Sequence, residues 1–182
     1  MSEMVVPDGW ETKTLGTVSN IVMGQSPSSS TYNTVRDGLP FLQGKQDFGN
    51  HYPTIRIWCS HPIKIASSGS ILFTVRAPVG DVNIATTECC IGRGLASISG
   101  TTSDQNYLYQ LINFIKPQFQ LIAQGTTFEA INSSDLKTFS VLIPPLPEQQ
   151  KIASILTSVD EVLENTQSQI DKLQDLKKGT MN

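Results

Sequence analysis

The most regular pattern in the chain is a repeat of apolar residues close to its C-terminal end. From Ile152 to Leu173 the spacing of these residues alternates between four and three. Such spacing places the side chains along one side of an α-helix, as in the seam of a coiled coil. The seam positions are Ile152, Leu156, Val159, Leu163, Thr166, Ile170 and Leu173, and the stripe is widened by Ile155, Val162 and Leu176.

The residues at both ends of this segment are typical of helix ends. Pro147 suits the first helical position, Glu148 lies in the first turn, and Lys177 and Lys178 lie in the last. At about 1.5 Å per residue this helix is about 48 Å long, whereas the part before it should be about 30 Å across. We therefore expect the helix to project and to pair with a second copy or a partner helix. Packing of the helix on its own domain is the alternative.

The residues before the helix alternate between short apolar runs and turn-forming residues. Runs rich in β-forming residues predict strands over residues 38–44, 54–59, 70–75, 82–85 and 88–98. Gly92-Arg93-Gly94 interrupts the last of these runs. The alternation of Phe139, Val141 and Ile143 predicts a final strand before the proline-rich elbow.

One further helix is predicted after Ser103, which is the expected N-cap. Its apolar face repeats with the helical period, and Pro117 is expected to end or kink it. These patterns together predict an α+β fold. A globular β-rich domain is expected over residues 1–145, followed by one long helix over residues 146–182.

Composition limits the class of protein. Hydrophobic residues make up 38% of the 182 positions, which is enough for a packed core. A net charge of −3 argues against nucleic-acid binding that depends on a basic surface of this chain alone. The chain has no apolar signal segment and no run long enough for a membrane span, and its three cysteines make a poor disulfide framework. We expect a cytoplasmic protein that does not associate with membranes.

Catalytic motifs are absent from the sequence. The segment ending Gly44-Lys45 resembles a phosphate-binding loop only in part, because Gln46 stands where Ser or Thr is required. The spacing of His51, Cys59 and His61 fits no common zinc site. We predict no catalytic residues, no metal and no cofactor. An enzyme with a cysteine–histidine site remains the alternative at this point.

Several segments of the chain match a known family. Ile143–Ala153, with the sequence IPPLPEQQKIA, resembles the conserved region of type I restriction–modification specificity subunits. Gly9-Trp10, Gly69–Gly80 and Ile91–Ala96 are similar to the opening, the central strand and a turn of the same family. Each piece is short, but their order and spacing agree over nearly the whole chain.

The resemblance implies an architecture and a function. Such subunits carry two target recognition domains, each reading half of a bipartite DNA site, and two long helices that separate the domains and dock the methyltransferase subunits. This chain has one such domain, residues 1–145, and one spacer and dimerisation helix, residues 146–182. Two copies would restore the arrangement if their helices paired as an antiparallel coiled coil, and the target would then be an interrupted palindrome. A fragment, or a half that pairs with a different half, is the alternative.

The resemblance also implies partners and DNA-contacting residues. The partners would be double-stranded DNA, the methyltransferase subunit and, as a further candidate, the restriction subunit. Polar loop residues have the chemistry that base edges require: amides for adenine, cations for guanine and carboxylates for cytosine. The candidates are Ser28, Ser29, Thr31, Tyr32, Gln43, Lys45, Gln46, Asp47, Arg76, Thr126, Thr127, Phe128 and Glu129. A regulatory or mimic protein that binds the methyltransferase without reading DNA is the competing hypothesis.

Overall fold

The computed structural model of the chain describes residues 6–125 and 129–180. In chain order its strands are β1 (Glu11–Thr14), β2 (Ser19–Met23), β3 (Tyr32–Asn33), β4 (Leu39–Leu42), β5 (Trp58–Cys59), β6 (Ile65–Ala66), β7 (Ile71–Thr74), β8 (Val82–Ile84), β9 (Cys89–Ile91), β10 (Leu95–Gly100) and β11 (Ser140–Ile143). The helices are α1 (Leu15–Val18), α2 (Gln105–Gln124), α3 (Ser133–Thr138) and α4 (Leu146–Thr180).

Three sheets organise the strands. The central sheet is antiparallel and has the order β2-β10-β7-β8. A five-stranded sheet has the order β3-β5-β4-β9-β6, with β4 and β9 parallel. The third sheet pairs β1 with β11, so the start of the domain is joined to the strand that precedes α4. The predicted α+β fold, with a sheet-rich domain before one long helix, is confirmed.

Strand β7 lies between two hydrophobic clusters. Ile71 and Phe73 belong to the main core with α2, whereas Leu72 belongs to a second cluster with β9 and Leu95. Because side chains alternate across a strand, a strand that is buried on both faces needs apolar residues at successive positions. The Phe73 ring packs edge-on against Phe119 of α2, with centroids 5.1 Å apart. This packing ties α2 to the centre of the domain.

Helix α2 differs from the prediction at two points. Asp104 is the N-cap, and its carboxylate accepts a hydrogen bond from Tyr107 N at 2.9 Å. Ser103 lies one residue earlier, with its hydroxyl buried and without a partner among the described residues. Pro117 lies inside a continuous helix instead of ending it. Burial of Ile115 and Phe119 on either side holds the helix together despite the missing backbone donor.

The predicted strand over residues 54–59 is mostly a loop, and only Trp58 and Cys59 pair as β5. Alternation of side chains was present, but Thr54 donates its backbone N–H to Asp47 O instead of to a neighbouring strand. The remaining strand predictions contain the observed strands β4, β7, β8, β9 and β11 and overlap β10, which extends two residues further to Gly100. None of the helices within residues 6–125 and 129–180 is both long enough and apolar enough to cross a bilayer.

Helix α4 contacts the domain through its first turns, where the seam residue Ile152 packs against the main core, and through polar contacts outside the seam. Gln149 is buried, accepting from Asp104 N at 2.8 Å and donating to Pro144 O at 2.8 Å. Ala153 packs in the main core, and Asp160 accepts from Gln110 Nε2 at 2.8 Å. The seam side chains beyond Ile152 are exposed, Leu163 by 61%. Thus the helix does pack on its own domain, but it leaves the seam beyond Ile152 uncovered.

Candidate nucleic-acid interface

Four chain segments meet at a polar cleft at one end of the sheets. They are the segments that follow β2, β4 and β7 and the turn between β9 and β10. The cleft has a volume of about 360 Å³. Its lining is formed by Ser26, Gln43, Gly44, Lys45, Gln46, Arg76, Ala77, Arg93 and Gly94. The structure therefore brings together four of the predicted DNA-contacting residues, which are Gln43, Lys45, Gln46 and Arg76.

Backbone hydrogen bonds between the segments fix the floor of the cleft. Gly92 N donates to Leu42 O at 2.8 Å, and Val75 N donates to Gly94 O at 3.0 Å. A Cβ atom at Gly94 would lie 2.3 Å from Gln43 O, so only glycine permits this approach of the two loops. The β9–β10 turn is thus pressed against the loop that carries Gln43.

The cleft is cationic although the chain is acidic overall. Lys45, Arg76 and Arg93 belong to its lining, and no carboxylate of residues 6–125 and 129–180 does. Both arginines are exposed, and neither forms an ion pair with another described residue. Free guanidinium groups beside Gln43 and Gln46 provide the donors and acceptors that bind phosphates and the edges of guanine and adenine.

Lys45 is held toward the cleft by Asp81. Its ammonium lies 3.2 Å from Asp81 Oδ2, and Lys116 of α2 also donates to this carboxylate. Burial raises the pKa of Asp81, but the hydrogen bonds from Lys116 and Lys45 outweigh burial, so the pKa lies below its usual value. The Asp81 carboxylate therefore stays charged and holds the Lys45 ammonium in place by this ion pair.

Asp47 has a structural place in the same loop. Its side chain is buried, and Oδ2 accepts backbone hydrogen bonds from Gln43 at 2.7 Å and Gly44 at 3.3 Å. Burial of this carboxylate and its bonds to two backbone donors of its own loop favour a structural role over contact with a base edge. We therefore leave Asp47 out of the proposed reading surface, although its chemistry alone suggested a contact.

The four predicted residues of the serine-rich loop differ in their surroundings: two are bonded within the domain and two are exposed. The Tyr32 hydroxyl donates to Pro27 O at 3.0 Å, and its ring packs on Phe41 with centroids 4.6 Å apart. Thr31 Oγ1 donates to Ser28 O at 2.7 Å. These two side chains are engaged within the domain, whereas Ser28 and Ser29 are exposed. None of the four lines the cleft, so their contact with DNA stays a prediction.

The last predicted loop is only partly visible in the structure. Thr126, Thr127 and Phe128 lie outside the described residues. Glu129 is exposed and has a positive φ of 46°, and it precedes Ala130, which forms a β-bridge with Arg76. Glu129 lies beside Ala77 and Pro78 in a separate depression. Glu129 is therefore next to the residue that pairs with Arg76, but Glu129 does not line the cleft.

Arg93 and Ser26 line the cleft but were not among the predicted contacts. The sequence indicated Arg93 only as part of the Gly92-Arg93-Gly94 interruption of an apolar run. The structure joins them, because Arg93 N donates to Ser26 Oγ at 3.2 Å. The available signal was the position of Arg93 between two buried strands, which places it at an end of the sheet.

The cysteines and histidines do not form a common site. Cys59, Cys89 and Cys90 are buried, and burial raises the pKa of the Cys89 thiol to about 12. His51 Nδ1 lies 3.3 Å from Tyr109 Oη and 3.7 Å from Glu164 Oε1 of α4. His61 lies elsewhere and shares a hydrogen bond with the Ser60 hydroxyl. No group of three or more metal-ligating side chains occurs in the part of the chain that the structure describes.

Comparison with known proteins identifies a family. A family model described as the type I restriction modification DNA specificity domain matches residues 7–175. Two Methanocaldococcus jannaschii proteins, named as the MjaX and MjaIX type I restriction enzyme specificity subunits, are 41% and 29% identical to this chain. The alignments cover 97% and 93% of this chain but only 43% and 42% of those proteins.

Solved structures agree with this comparison. The chain superimposes with a TM-score of 0.86 and 42% identity on a structure concerned with assembly and conformational transition of the type I R-M system. The HsdS subunit from Thermoanaerobacter tengcongensis gives a TM-score of 0.80 and 42% identity. These matches cover 97% and 91% of this chain but 45% and 41% of the other chains. The S subunit of M. genitalium, at 19% identity and a TM-score of 0.66, supports the fold alone. The chain spans less than half the length of these relatives.

Proposed function

The chain belongs to the type I restriction modification DNA specificity family, and on this premise we propose that it is a non-catalytic specificity subunit that reads one half-site of a bipartite DNA target. Residues 1–145 are the proposed target recognition domain, and residues 146–182 are the proposed spacer and dimerisation helix. The proposed partners are double-stranded DNA and a methyltransferase subunit, with a restriction subunit as a further candidate. The proposed location is the cytoplasm, where these partners act.

The cleft between Gln43 and Arg93 is the observation that carries this proposal. It concentrates Lys45, Arg76 and Arg93 in a chain of net charge −3, with Gln43 and Gln46 beside them. Cations and amides in this combination suit both phosphate positioning and direct reading of base edges. The acidic remainder of the chain implies that a partner supplies much of the phosphate contact.

Self-association follows from the exposed seam of α4. A single helix leaves Leu156, Val159 and Leu163 exposed to water, and a second helix would bury them. Two identical copies related by a twofold axis would read identical half-sites, so the proposed target is an interrupted palindrome. The methyltransferase subunit is proposed to dock on the paired helices.

The competing hypothesis is a regulator that binds the methyltransferase without reading DNA. A protein that imitates DNA presents carboxylates where the duplex presents phosphates, and the carboxylate-free cleft has the opposite character. We therefore favour reading of DNA over imitation of it.

Reconstitution with a type I methyltransferase subunit tests the proposal. We expect methyl transfer to DNA only when this chain is present, and protection of two separated half-sites in a footprint of the complex. Binding to the methyltransferase without a sequence-specific footprint would support the regulator instead. Methylation of the same sites without this chain would exclude its role in specificity.

A further inference from the structure

An apolar groove lies beside the first turns of α4, on the side that bears the seam. It has a volume of about 350 Å³. Its lining is formed by Trp10, Tyr107, Gln110, Leu111, Phe114, Ile115, Gln118, Ser140, Val141, Leu142, Ile152 and Leu156. Phe114 lies at its edge with 80% of its surface exposed. An open apolar groove of this kind is unusual on a surface that has no partner.

The groove continues the seam of α4. Ile152 and Leu156 are the first two seam positions, and both also line the groove. The apolar surface therefore extends from Leu173 along α4 and onto α2, where it includes Phe114. A helix that follows the seam toward the start of α4 would enter the groove between α2 and α4.

The seam positions of two copies of α4 can face one another when the helices run in opposite directions. If two copies of α4 pair antiparallel about Leu163, Ile152 of one copy lies level with Leu173 of the other. Leu156 then lies level with Ile170, and Val159 with Thr166. In each of these pairs the two residues are offset by no more than one residue, or about 1.5 Å, along the helix axis. No seam residue is left without an opposing seam residue in this register.

The same register carries the end of the second helix into the groove. Leu176 is almost one turn beyond Leu173 and would lie level with Gln149, one turn before the groove residue Ile152. Lys177 would lie level with Glu148. Glu148 is close enough to Tyr107 to add to the effect of burial, which raises the pKa of Tyr107 to about 12. The basic end of one helix thus meets the acidic first turn of the other.

We infer that this groove is the docking site for the end of α4 from a second copy of the chain, residues Leu173–Lys178. The inference rests on the self-association proposed above and adds a defined register and a contact between helix and domain. Each dimer would contain two such contacts, one at each end of the helix pair. The recognition domain of one copy would then be held by the helix of the other, which would limit its rotation about the seam.

Cross-linking tests the register. The three native cysteines are buried, so thiols introduced on the surface should react selectively with a short bis-maleimide. Leu156→Cys combined with Ile170→Cys, which this register places level with each other, should give a covalent dimer on a denaturing gel. Each single variant should remain monomeric on that gel, because the two copies of either residue would lie about 21 Å apart along the axis of an antiparallel pair. A covalent dimer from Ile170→Cys alone would show parallel pairing and overturn the inference.

A pair of matched substitutions tests the groove itself. Phe114→Asp should weaken dimerisation in sedimentation equilibrium by at least about tenfold, because the contact would bury an unpaired charge. Leu121→Asp is the control, since Leu121 is 69% exposed on the same helix but does not line the groove. It should change the dimerisation constant less than about twofold. Both sites are exposed, so both variants should fold, which circular dichroism verifies.

The outcomes separate this inference from the proposed function. A wild-type dimer that Phe114→Asp leaves intact overturns the groove contact, although the seam and the specificity function stand. A chain that stays monomeric alone and with the methyltransferase overturns a second copy as the occupant. DNA specificity has its own measurement, because site-specific methylation by the reconstituted complex does not depend on which helix fills the groove.

Discussion

The side-chain amide of Asn83 forms a pair of hydrogen bonds with the backbone of Gly49. Gly49 N donates to Asn83 Oδ1 at 3.1 Å, and Asn83 Nδ2 donates to Gly49 O at 3.2 Å. Asn83 is fully buried in β8 of the central sheet. The next residue of β8, Ile84, donates its backbone N–H at 2.9 Å to the carbonyl of His51, which lies two residues after Gly49. The loop that carries the candidate reading residues is therefore anchored to the sheet at its far end.

Removing this amide should destabilise the loop and the domain. Asn83→Ala leaves the Gly49 donor and acceptor without their partner, so we expect the free energy of unfolding in urea to fall by about 1–3 kcal/mol. Asn20→Ala is the control, because Asn20 is exposed on β2, and its effect should be within about 0.5 kcal/mol. Equal stability of the two variants would show that the amide pair contributes little.

The cleft arginines should affect DNA binding and leave folding unchanged. Arg76→Gln and Arg93→Gln are each expected to weaken binding of a reconstituted complex to its target by about 1–3 kcal/mol and to relax its sequence preference, as for a lost base contact. Lys137→Gln, an exposed change on α3, should have no such effect. Affinity is measured by fluorescence anisotropy at several salt concentrations.

The salt dependence distinguishes the two kinds of contact. Loss of a phosphate contact would weaken all sequences equally and reduce the slope of log affinity against log salt by about 1. Wild-type affinity, slope and sequence preference in both arginine variants would exclude the cleft from the DNA interface.

Asp81 should give the stability a defined dependence on pH. Its pKa is lowered in the folded state, because the hydrogen bonds from Lys116 and Lys45 outweigh the effect of burial. The stabilisation is thus complete above the unfolded pKa of about 4 and is lost as the pH falls through the folded pKa. Asp81→Asn should lower the free energy of unfolding at pH 7 by about 1 kcal/mol, a small value because Lys45 is half exposed.

The pH profile of this variant provides the check. The difference between the wild type and Asp81→Asn should shrink as urea titrations move from pH 5 toward pH 2. Asp37→Asn, a change at an exposed carboxylate, controls for the general effect of charge removal at pH 7. A difference that is constant over this pH range would contradict the assigned lysine contacts.

The seam of α4 should control self-association. Leu156 and Leu163 are 40% and 61% exposed in the single chain, so replacing them with aspartate should not disturb the domain. In a paired helix each aspartate would be a buried unpaired charge that costs several kcal/mol. We expect the double variant Leu156→Asp/Leu163→Asp to be monomeric in analytical ultracentrifugation. Ser154→Asp, on the opposite side of α4, should associate like the wild type.

Much of the fold follows from local patterns. Strand β7 was predicted because its successive apolar residues suit a strand buried on both faces, and α4 because its proline start and heptad spacing are unambiguous. The expectation that Pro117 could end the helix and the strand predicted over residues 54–57 were wrong, because tertiary packing and a hydrogen bond to Asp47 outweigh local preference. Sequence patterns thus predicted the helices and strands correctly where the packing and hydrogen bonds of the folded domain favour the same local conformation.

The candidate site was predicted only in part. Gln43, Lys45, Gln46 and Arg76 were identified from side-chain chemistry, and they do lie together. The parallel pairing of β4 with β9 brings Arg93 to the same cleft, and no local pattern predicts which strands will pair. The inward turn of Asp47 depends on backbone donors that exist only once the loop has formed.

The central claim is that this chain determines which DNA sequence is methylated. Mapping adenine methylation on genomic DNA, with the methyltransferase subunit expressed together with this chain, tests it most directly. We expect one interrupted palindrome with two identical half-sites, and we expect Arg76→Gln and Arg93→Gln to reduce or redistribute its methylation. Methylation at unrelated sites, or at the same sites when this chain is omitted, would contradict the account.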